Sequence, residues 1–232
     1  ISSNKKKFWK YLMKKEFEKR ILSSLILIPT AFFFLVKGFI LFLFLMGIFF
    51  TIAVYEWLKI AKYNSIKLFG FLFLLFSFYS AYLLRTEIGL GTFLLIIIVC
   101  IFTDIGGYIF GKTFKGPKLI KISPNKTYSG MFGSFILSII GTFIFLKYSN
   151  FISSYLPLSS LKNNNLYLIL FILFISAVSQ IGDLIISYFK RLSKVKNTGN
   201  ILPGHGGLLD RIDGIIFAIP TSYLLIKFFE IT

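Results

Sequence analysis

The sequence predicts an all-α fold, a polytopic integral membrane bundle of about seven transmembrane helices with its N-terminus inside. Three observations carry that expectation. Hydrophobic residues make up 56% of the 232 and aromatic residues 19%, with 30 phenylalanines, and mean hydropathy is +0.81. Charged residues amount to only 15%, against about 25% in a typical soluble domain. The apolar residues also fall in long blocks, which a soluble core cannot absorb without exposing a large apolar patch. The same composition excludes an intrinsically disordered chain.

Runs able to cross about 30 Å of hydrocarbon lie at 21–36, 39–55, 68–84, 89–103, 131–146, 166–189 and 214–229. Backbone at membrane depth must satisfy its own hydrogen bonds, so each run is expected to be a helix. Only Lys37 and Gly38 separate the first two, which makes them a tight hairpin or a re-entrant pair. Residues 1–20 are basic, with Phe8, Trp9, Leu12 and Phe17 interleaved. That pattern suits a short interfacial helix on an anionic leaflet, or equally a solvated tail. No small-residue cleavage site follows the first run, so a cleaved signal peptide is not expected. Asn163, Asn164 and Asn165, with serines near Ser159, mark an outside loop. No internal repeat is visible. The expected organisation is a basic segment, 1–20, followed by one integral membrane domain, 21–232.

Charge orients the bundle. The net charge is +17, from 26 Lys and Arg against nine Asp and Glu. With the N-terminus inside, segments 1–20, 57–67, 104–130 and 187–213 are cytoplasmic and hold 8, 3, 5 and 5 of the cations. Five remain outside: Lys37, Arg85, Lys147, Lys162 and Lys227. That asymmetry obeys the positive-inside rule. The charge is therefore an orientation signal, and no nucleic-acid partner is expected. The single cysteine, Cys100, lies in an apolar run, and His205 is the only histidine. A disulfide framework and a multi-histidine metal site are both excluded.

Nine acids can be placed one by one. Glu16 and Glu18 sit in the basic tail, Glu56 caps the second span, and Glu87 and Glu230 lie outside. Asp104, Asp183, Asp210 and Asp213 each fall at, or just inside, the cytoplasmic end of an apolar segment. A carboxylate within a span costs about 2.5–3.5 kcal/mol on insertion scales, which marks a functional site.

Asp183 belongs to a polar stripe. Ser176, Ser179, Asp183, Ser187, Lys190 and Arg191 recur at helical spacing and run toward the cytosol. The structural alternative is a hydrogen-bonding seam between helices. The second cluster runs from Pro203 through Gly204, His205, Gly206 and Gly207 to Asp210, Arg211 and Asp213. Its glycines let backbone N–H groups approach an anion closely. Asp183 and Asp210 can face one divalent cation, and Mg²⁺ typically takes one or two carboxylates plus substrate phosphates. Lys190, Arg191 and Arg211 supply charge for phosphate oxygens. The alternative is a glycine-rich turn. A third cluster begins at Asp104, Gly106, Gly107 and Tyr108 and continues to Ser123, Pro124, Lys126 and Thr127. Lys126, in a polar loop, is a phosphate contact or one cation of a ligand-free inside loop. Gly106 to Thr113 also fits the P-loop pattern, but no strand–helix context surrounds it, so it is rejected.

The run Ser187, Lys190, Arg191, Lys196, Asn197, Gly199, Pro203 to Gly207, Asp210, Arg211 and Asp213 resembles the C-terminal signature of the phosphatidate cytidylyltransferases, or CDP-diacylglycerol synthases. Gly182, Asp183 and Leu184, and the blocks around Asp104 and Lys126, are similar to other blocks of that family. The resemblance covers roughly residues 20–230. Asn197, Ile186 and Ser129 depart from it where the family has acids. The resemblance implies a nucleotidyl transfer that joins CTP and phosphatidate into CDP-diacylglycerol, releasing pyrophosphate, for phospholipid biosynthesis. It implies Mg²⁺ held by Asp183 and Asp210, with a second, monovalent cation left open. Ser187, Lys190, Arg191, His205 and Asp213 form the implied catalytic set. Asp104, Lys126, Gly206, Gly207 and Arg211 form the implied substrate- and phosphate-binding set. The partners are CTP, phosphatidate and membrane lipid, with a homodimer left open. The implied location is the membrane, the cytoplasmic one in a bacterium, with the site facing the cytoplasm.

Other readings remain. A CDP-archaeol synthase or a polyprenol kinase also uses CTP on a lipid, and the kinase would leave CDP instead of pyrophosphate. A cation-coupled transporter would place its acids near the midplane between repeats. A scaffold would need no such polar clusters.

Overall fold

The computed structural model describes residues 29–30, 32–35, 38–120, 123–149, 165–201 and 206–228. Within them the chain forms α1 (Phe39–Ile60), α2 (Asn64–Leu83) and α3 (Leu90–Phe114). A small hairpin follows, β1 (Lys118–Ile120) and β2 (Ser123–Thr127), then α4 (Tyr128–Ser149) and α5 (Asn165–Leu192). A single turn, α6 (Leu209–Ile212), leads into α7 (Ile215–Phe228). Five helices are long and apolar enough to cross a membrane, and α7 is a shorter apolar helix. The chain is thus an all-α polytopic membrane protein. Of the first expected span, residues 29–30 and 32–35 are helical and the remainder lies outside the described residues, as do the basic segment 1–20 and the loop at 150–164.

Two expectations need correction. The segment after Asp104 does not leave the helix there, because α3 continues to Phe114. Segment Gly106–Thr113 is therefore helical, which disposes of the P-loop pattern by geometry. The reason for the extension is packing. A Cβ on Gly106 would lie 2.4 Å from the Gly133 carbonyl oxygen, and one on Gly130 would lie 2.8 Å from the Gly107 carbonyl oxygen. Small residues let membrane helices approach closely, and here they keep α3 and α4 together beyond the apolar run. The second correction is the hairpin. It pairs antiparallel with Lys118 opposite Thr127 and Ile120 opposite Ser123, where a loop was expected.

Thr127 ends the hairpin and starts the next helix. Its hydroxyl accepts the Gly130 N–H at 3.1 Å, the N-cap bond of α4. Lys126, one residue earlier, is thereby fixed at the mouth of the bundle.

Helix α7 contains Pro220, which has no N–H for the Ile216 carbonyl. Ser77 on α2 donates to that carbonyl at 2.6 Å instead. A neighbouring helix thus satisfies the freed backbone group, as membrane burial requires. The core lies where α1, α3, α5 and α7 meet, around Phe42, Leu95, Ile96, Ile172 and Ile175. Cys100 is buried there.

The α3–α4 contact yields a test. Gly106→Ala puts a methyl group against backbone that cannot move aside, so it is expected to cost about 1–3 kcal/mol of stability. Unfolding of the detergent-solubilised protein should show a lowered midpoint. An unchanged midpoint would mean the two helices have slack at this level.

Candidate functional site

At the hairpin end of the bundle, α3, α4, α5, α6 and β2 enclose a cavity of about 390 Å³. Its lining includes Asp104, Lys126, Asp183, Lys190, Asp210, Arg211 and Asp213, together with Thr103, Tyr108, Ser134 and Gln180. All three sequence clusters contribute to it. Helix geometry delivers the first acids: Asp104 projects from α3 and Asp183 from α5. The hairpin brings Lys126 across the opening, where its Nζ sits 2.6 Å from Asp183 Oδ2 and 3.5 Å from the Gln180 carbonyl oxygen. Ser187, one turn along, donates to Asp183 Oδ1 at 3.2 Å.

Glycines set the approach of α5 to the α6–α7 corner. A Cβ on Gly182 would meet the Phe217 ring at 2.6 Å and the Asp213 carbonyl oxygen at 2.9 Å. One on Gly214 would fall 2.3 Å from Ser179 Oγ. With neither Cβ present, the Asp213 carboxyl comes within hydrogen-bonding reach of Asp183. Asp213 is only 8% exposed and accepts the Gly214 N–H at 2.9 Å. Burial first, and then the neighbouring Asp183 carboxylate, push its carboxyl well above the usual carboxylate range.

The expected Asp183–Asp210 pair takes a different form. Asp210 Oδ1 is bound by Lys190 at 2.7 Å. Its Oδ2 accepts the Thr198 N–H at 2.8 Å and the Gly207 N–H at 3.1 Å. Both oxygens are therefore engaged, and the acid that touches Asp183 is Asp213. Lys190 lies in the last turn of α5, where a cation also complements the helix dipole.

The polar stripe on α5 divides. Thr103 and Ser176 share a hydroxyl contact at 2.8 Å, and Ser134 donates to the Thr103 carbonyl at 2.7 Å. That part is an interhelical seam, while Asp183, Ser187 and Lys190 face polar partners at the cavity end. Arg191 is directed elsewhere. It follows Lys190 by about 100° around the helix, lies exposed, and donates to the Val195 carbonyl at 3.4 Å. Gly207 is not a bare cradle, since a Cβ there would strike Thr198 Oγ1 at 2.0 Å and Glu56 Oε2 at 2.5 Å. Gly206 has φ +88°, which favours glycine, and its Cβ would lie 3.2 Å from Asp210 Oδ2. His205 lies outside the described residues. Of the departures from the family pattern, Ile186 packs in an apolar cluster with Trp57 and Leu209 and does not line the cavity. Ser129 bonds the Lys115 carbonyl.

Two groups escaped the sequence reading. Glu56 does more than cap a span: it is fully buried and holds the loop that carries Asp210. Its signal was an acid beside Trp57 at the end of a long apolar run. Gln180 carries a buried Nε2 with no hydrogen-bond partner among the described residues, and it lines the cavity. Buried donors are rarely left unpaired.

The donor set is all oxygen, which suits a hard divalent cation. Among the described residues no three of His, Cys, Asp and Glu are grouped to hold a metal alone. A cation beside Asp183 and Asp213 would complete its shell with substrate oxygens, the usual mode for Mg²⁺.

The Asp213 environment fixes a pH dependence. A carboxyl whose pKa rises on folding binds its proton more tightly when folded, so stability falls as pH climbs from about 4 through the raised value. Asp213→Asn in metal-free detergent should flatten that decline in the unfolding midpoint. An identical slope in both proteins would mean that another group sets it.

The family model for the Cytidylyltransferase family matches residues 66–229. Every cavity acid falls within that stretch. The phosphatidate cytidylyltransferase of Rickettsia bellii is 32% identical over 228 residues, 97% of either chain. That of Bacillus subtilis is 41% identical over 129 residues, 55% of this chain and 44% of the relative. That of Staphylococcus haemolyticus is 39% identical over 152 residues, 65% and 54% respectively. The matches to the last two thus span about half the length of those relatives.

Proposed function

This chain belongs to the cytidylyltransferase family, and on that premise we propose that it condenses CTP with phosphatidate to give CDP-diacylglycerol and pyrophosphate. One observation carries the reading: a cavity of acids and cations at one end of an apolar helix bundle, where a lipid phosphate and a water-soluble nucleotide can meet. A phosphate oxygen of the lipid attacks the α-phosphorus of CTP. The bond from that phosphorus to the bridging oxygen breaks, and pyrophosphate leaves. The lipid phosphate is already anionic near neutral pH, so no strong base is needed. Catalysis is then positioning and charge neutralisation.

Lys126 and Lys190 are the cations for phosphate oxygens, with Arg211 at the rim. Each ammonium keeps its carboxylate and offers a remaining N–H donor to substrate oxygens. Gln180 Nε2 supplies one more donor to a phosphate or ester oxygen of the lipid. Asp213 manages a proton against Asp183, and Ser187 orients Asp183. Mg²⁺, held by Asp183 with Asp213 as its nearest second carboxylate, would neutralise developing charge on the nucleotide oxygens. Asp210 then acts on Lys190 and the glycine loop. The charge asymmetry supports seven spans with the N-terminus and the cavity on the cytoplasmic side of the membrane.

Purified protein supplied with labelled CTP, phosphatidate and Mg²⁺ is expected to release pyrophosphate and form a labelled lipid. Asp183→Asn should abolish this while the protein still inserts. Release of CDP would point to a kinase, and no turnover with any phosphatidate would overturn the reading. Gln180→Leu is expected to raise the KM for phosphatidate several-fold. An unchanged KM would remove Gln180 from the lipid contacts.

A further inference from the structure

Glu56 does not line the cavity and precedes the residues matched by the family model. It is 0% exposed, and among the described residues no Lys or Arg pairs with it. Its carboxylate is held by neutral donors alone. The Thr198 hydroxyl donates to Oε2 at 2.8 Å, the Leu208 N–H to Oε1 at 3.0 Å, and the Leu209 N–H to Oε2 at 2.8 Å. The loop closes around it through two glycines. A Cβ on Gly199 would sit 2.5 Å from Oε1, and one on Gly207 would sit 2.5 Å from Oε2.

The same loop is bound from its other side by Asp210. Thr198 gives its hydroxyl to Glu56 and its backbone N–H to Asp210. Gly207 gives its N–H to Asp210, while the next two N–H groups go to Glu56. Two carboxylates thus take up five donors of one loop, and Asp210 still holds Lys190. Burying an unpaired carboxylate is costly, so such a group persists where its hydrogen bonds fix a conformation.

We propose that Glu56 is a positioning residue: by clamping the loop that joins α5 to α6, it fixes Asp210 and, through it, the Lys190 ammonium for the nucleotide phosphates. This rests on the cytidylyltransferase reading above. The loop lies at the end of the bundle, on the side from which a water-soluble triphosphate approaches. The clamp therefore acts on CTP before it acts on the lipid.

Two measurements on the full-length protein in detergent test this separately. In hydrogen exchange, Glu56→Gln and Gly199→Ala should speed exchange in peptides covering 197–210 and leave the α3–α4 peptides unchanged. In the pyrophosphate assay, both variants should raise the KM for CTP about tenfold, equivalent to about 1.4 kcal/mol. That KM does not depend on the folded fraction of the sample, so a merely structural defect would lower kcat alone. Glu87→Gln, at the far end of the bundle, serves as the unchanged control. Unaltered exchange at 197–210 would overturn the clamp. Faster exchange with an unaltered KM would overturn the positioning role. If the wild type makes no pyrophosphate, the cytidylyltransferase reading and the positioning role fall together, and exchange still decides whether the clamp exists.

Discussion

A carboxylate within an apolar bundle survives only where something compensates it, and the Lys126–Asp183 ion pair meets that demand across two elements. Lys126 belongs to the hairpin and Asp183 to α5. For the ammonium to arrive, the hairpin must fold over the bundle end, and Thr127 must start α4 directly after it. The same demand is met again at Lys190 and Asp210, where α5 supplies the cation and α6 the acid. The two pairs lace the hairpin, α5 and α6 into one polar layer. Neither is sealed. The side chains of the first pair are 26% and 30% exposed, and those of the second 11% each. Such ammonium groups can take a further anion on a free N–H donor, which a fully buried pair could not do cheaply.

That layer depends on how closely the helices below it approach. In lipid, association draws on packing more than on apolar burial, so small residues decide where helices touch. Gly106 and Gly133 set the α3–α4 spacing, and with it the distance from Asp104 to the hairpin. Gly182 and Gly214 set the α5–α7 spacing, which puts Asp213 against Asp183. At the opposite end a different cluster closes the bundle. Glu87 pairs with Lys227 at 2.7 Å and accepts the Tyr223 hydroxyl at 3.1 Å.

The spans and the acids were legible because both signals are local. An apolar run is visible in the chain itself, and an acid inside one is conspicuous. What stayed hidden was pairing in space. Asp210 and Asp213 share a short stretch of sequence, yet one turns to Lys190 and the other to Asp183. No spacing rule separates them, because the separation is made by Gly207 and Gly182 against partners from other helices. Asp104 looked like the end of a span since the apolar run stops there. Helix α3 continues because Gly107 and Gly111 face α4, a contact that hydropathy cannot register. Glu56 looked like a cap for the same reason. Its three donors lie more than a hundred residues away in sequence.

The charge arrangement also bears on how the proposed substrates would bind. Lys126 and Lys190 already hold carboxylates, so a phosphate that engages their remaining N–H donors arrives beside Asp183 or Asp210. That sets a carboxylate against a polyanion with one ammonium between them, a repulsion that a cavity only partly open to water does not screen fully. The approach is eased where positive charge enters together with the nucleotide, or where protons lower the negative charge of the site. Asp213, its carboxyl held in the protonated direction, already lowers the negative charge beside Asp183 by the second route. A divalent cation accompanying the triphosphate answers the first. Under the proposed reaction the ion pairs would thus act as a filter, since an anion arriving without its counter-charge would meet the field of the carboxylates that the two ammonium groups already hold.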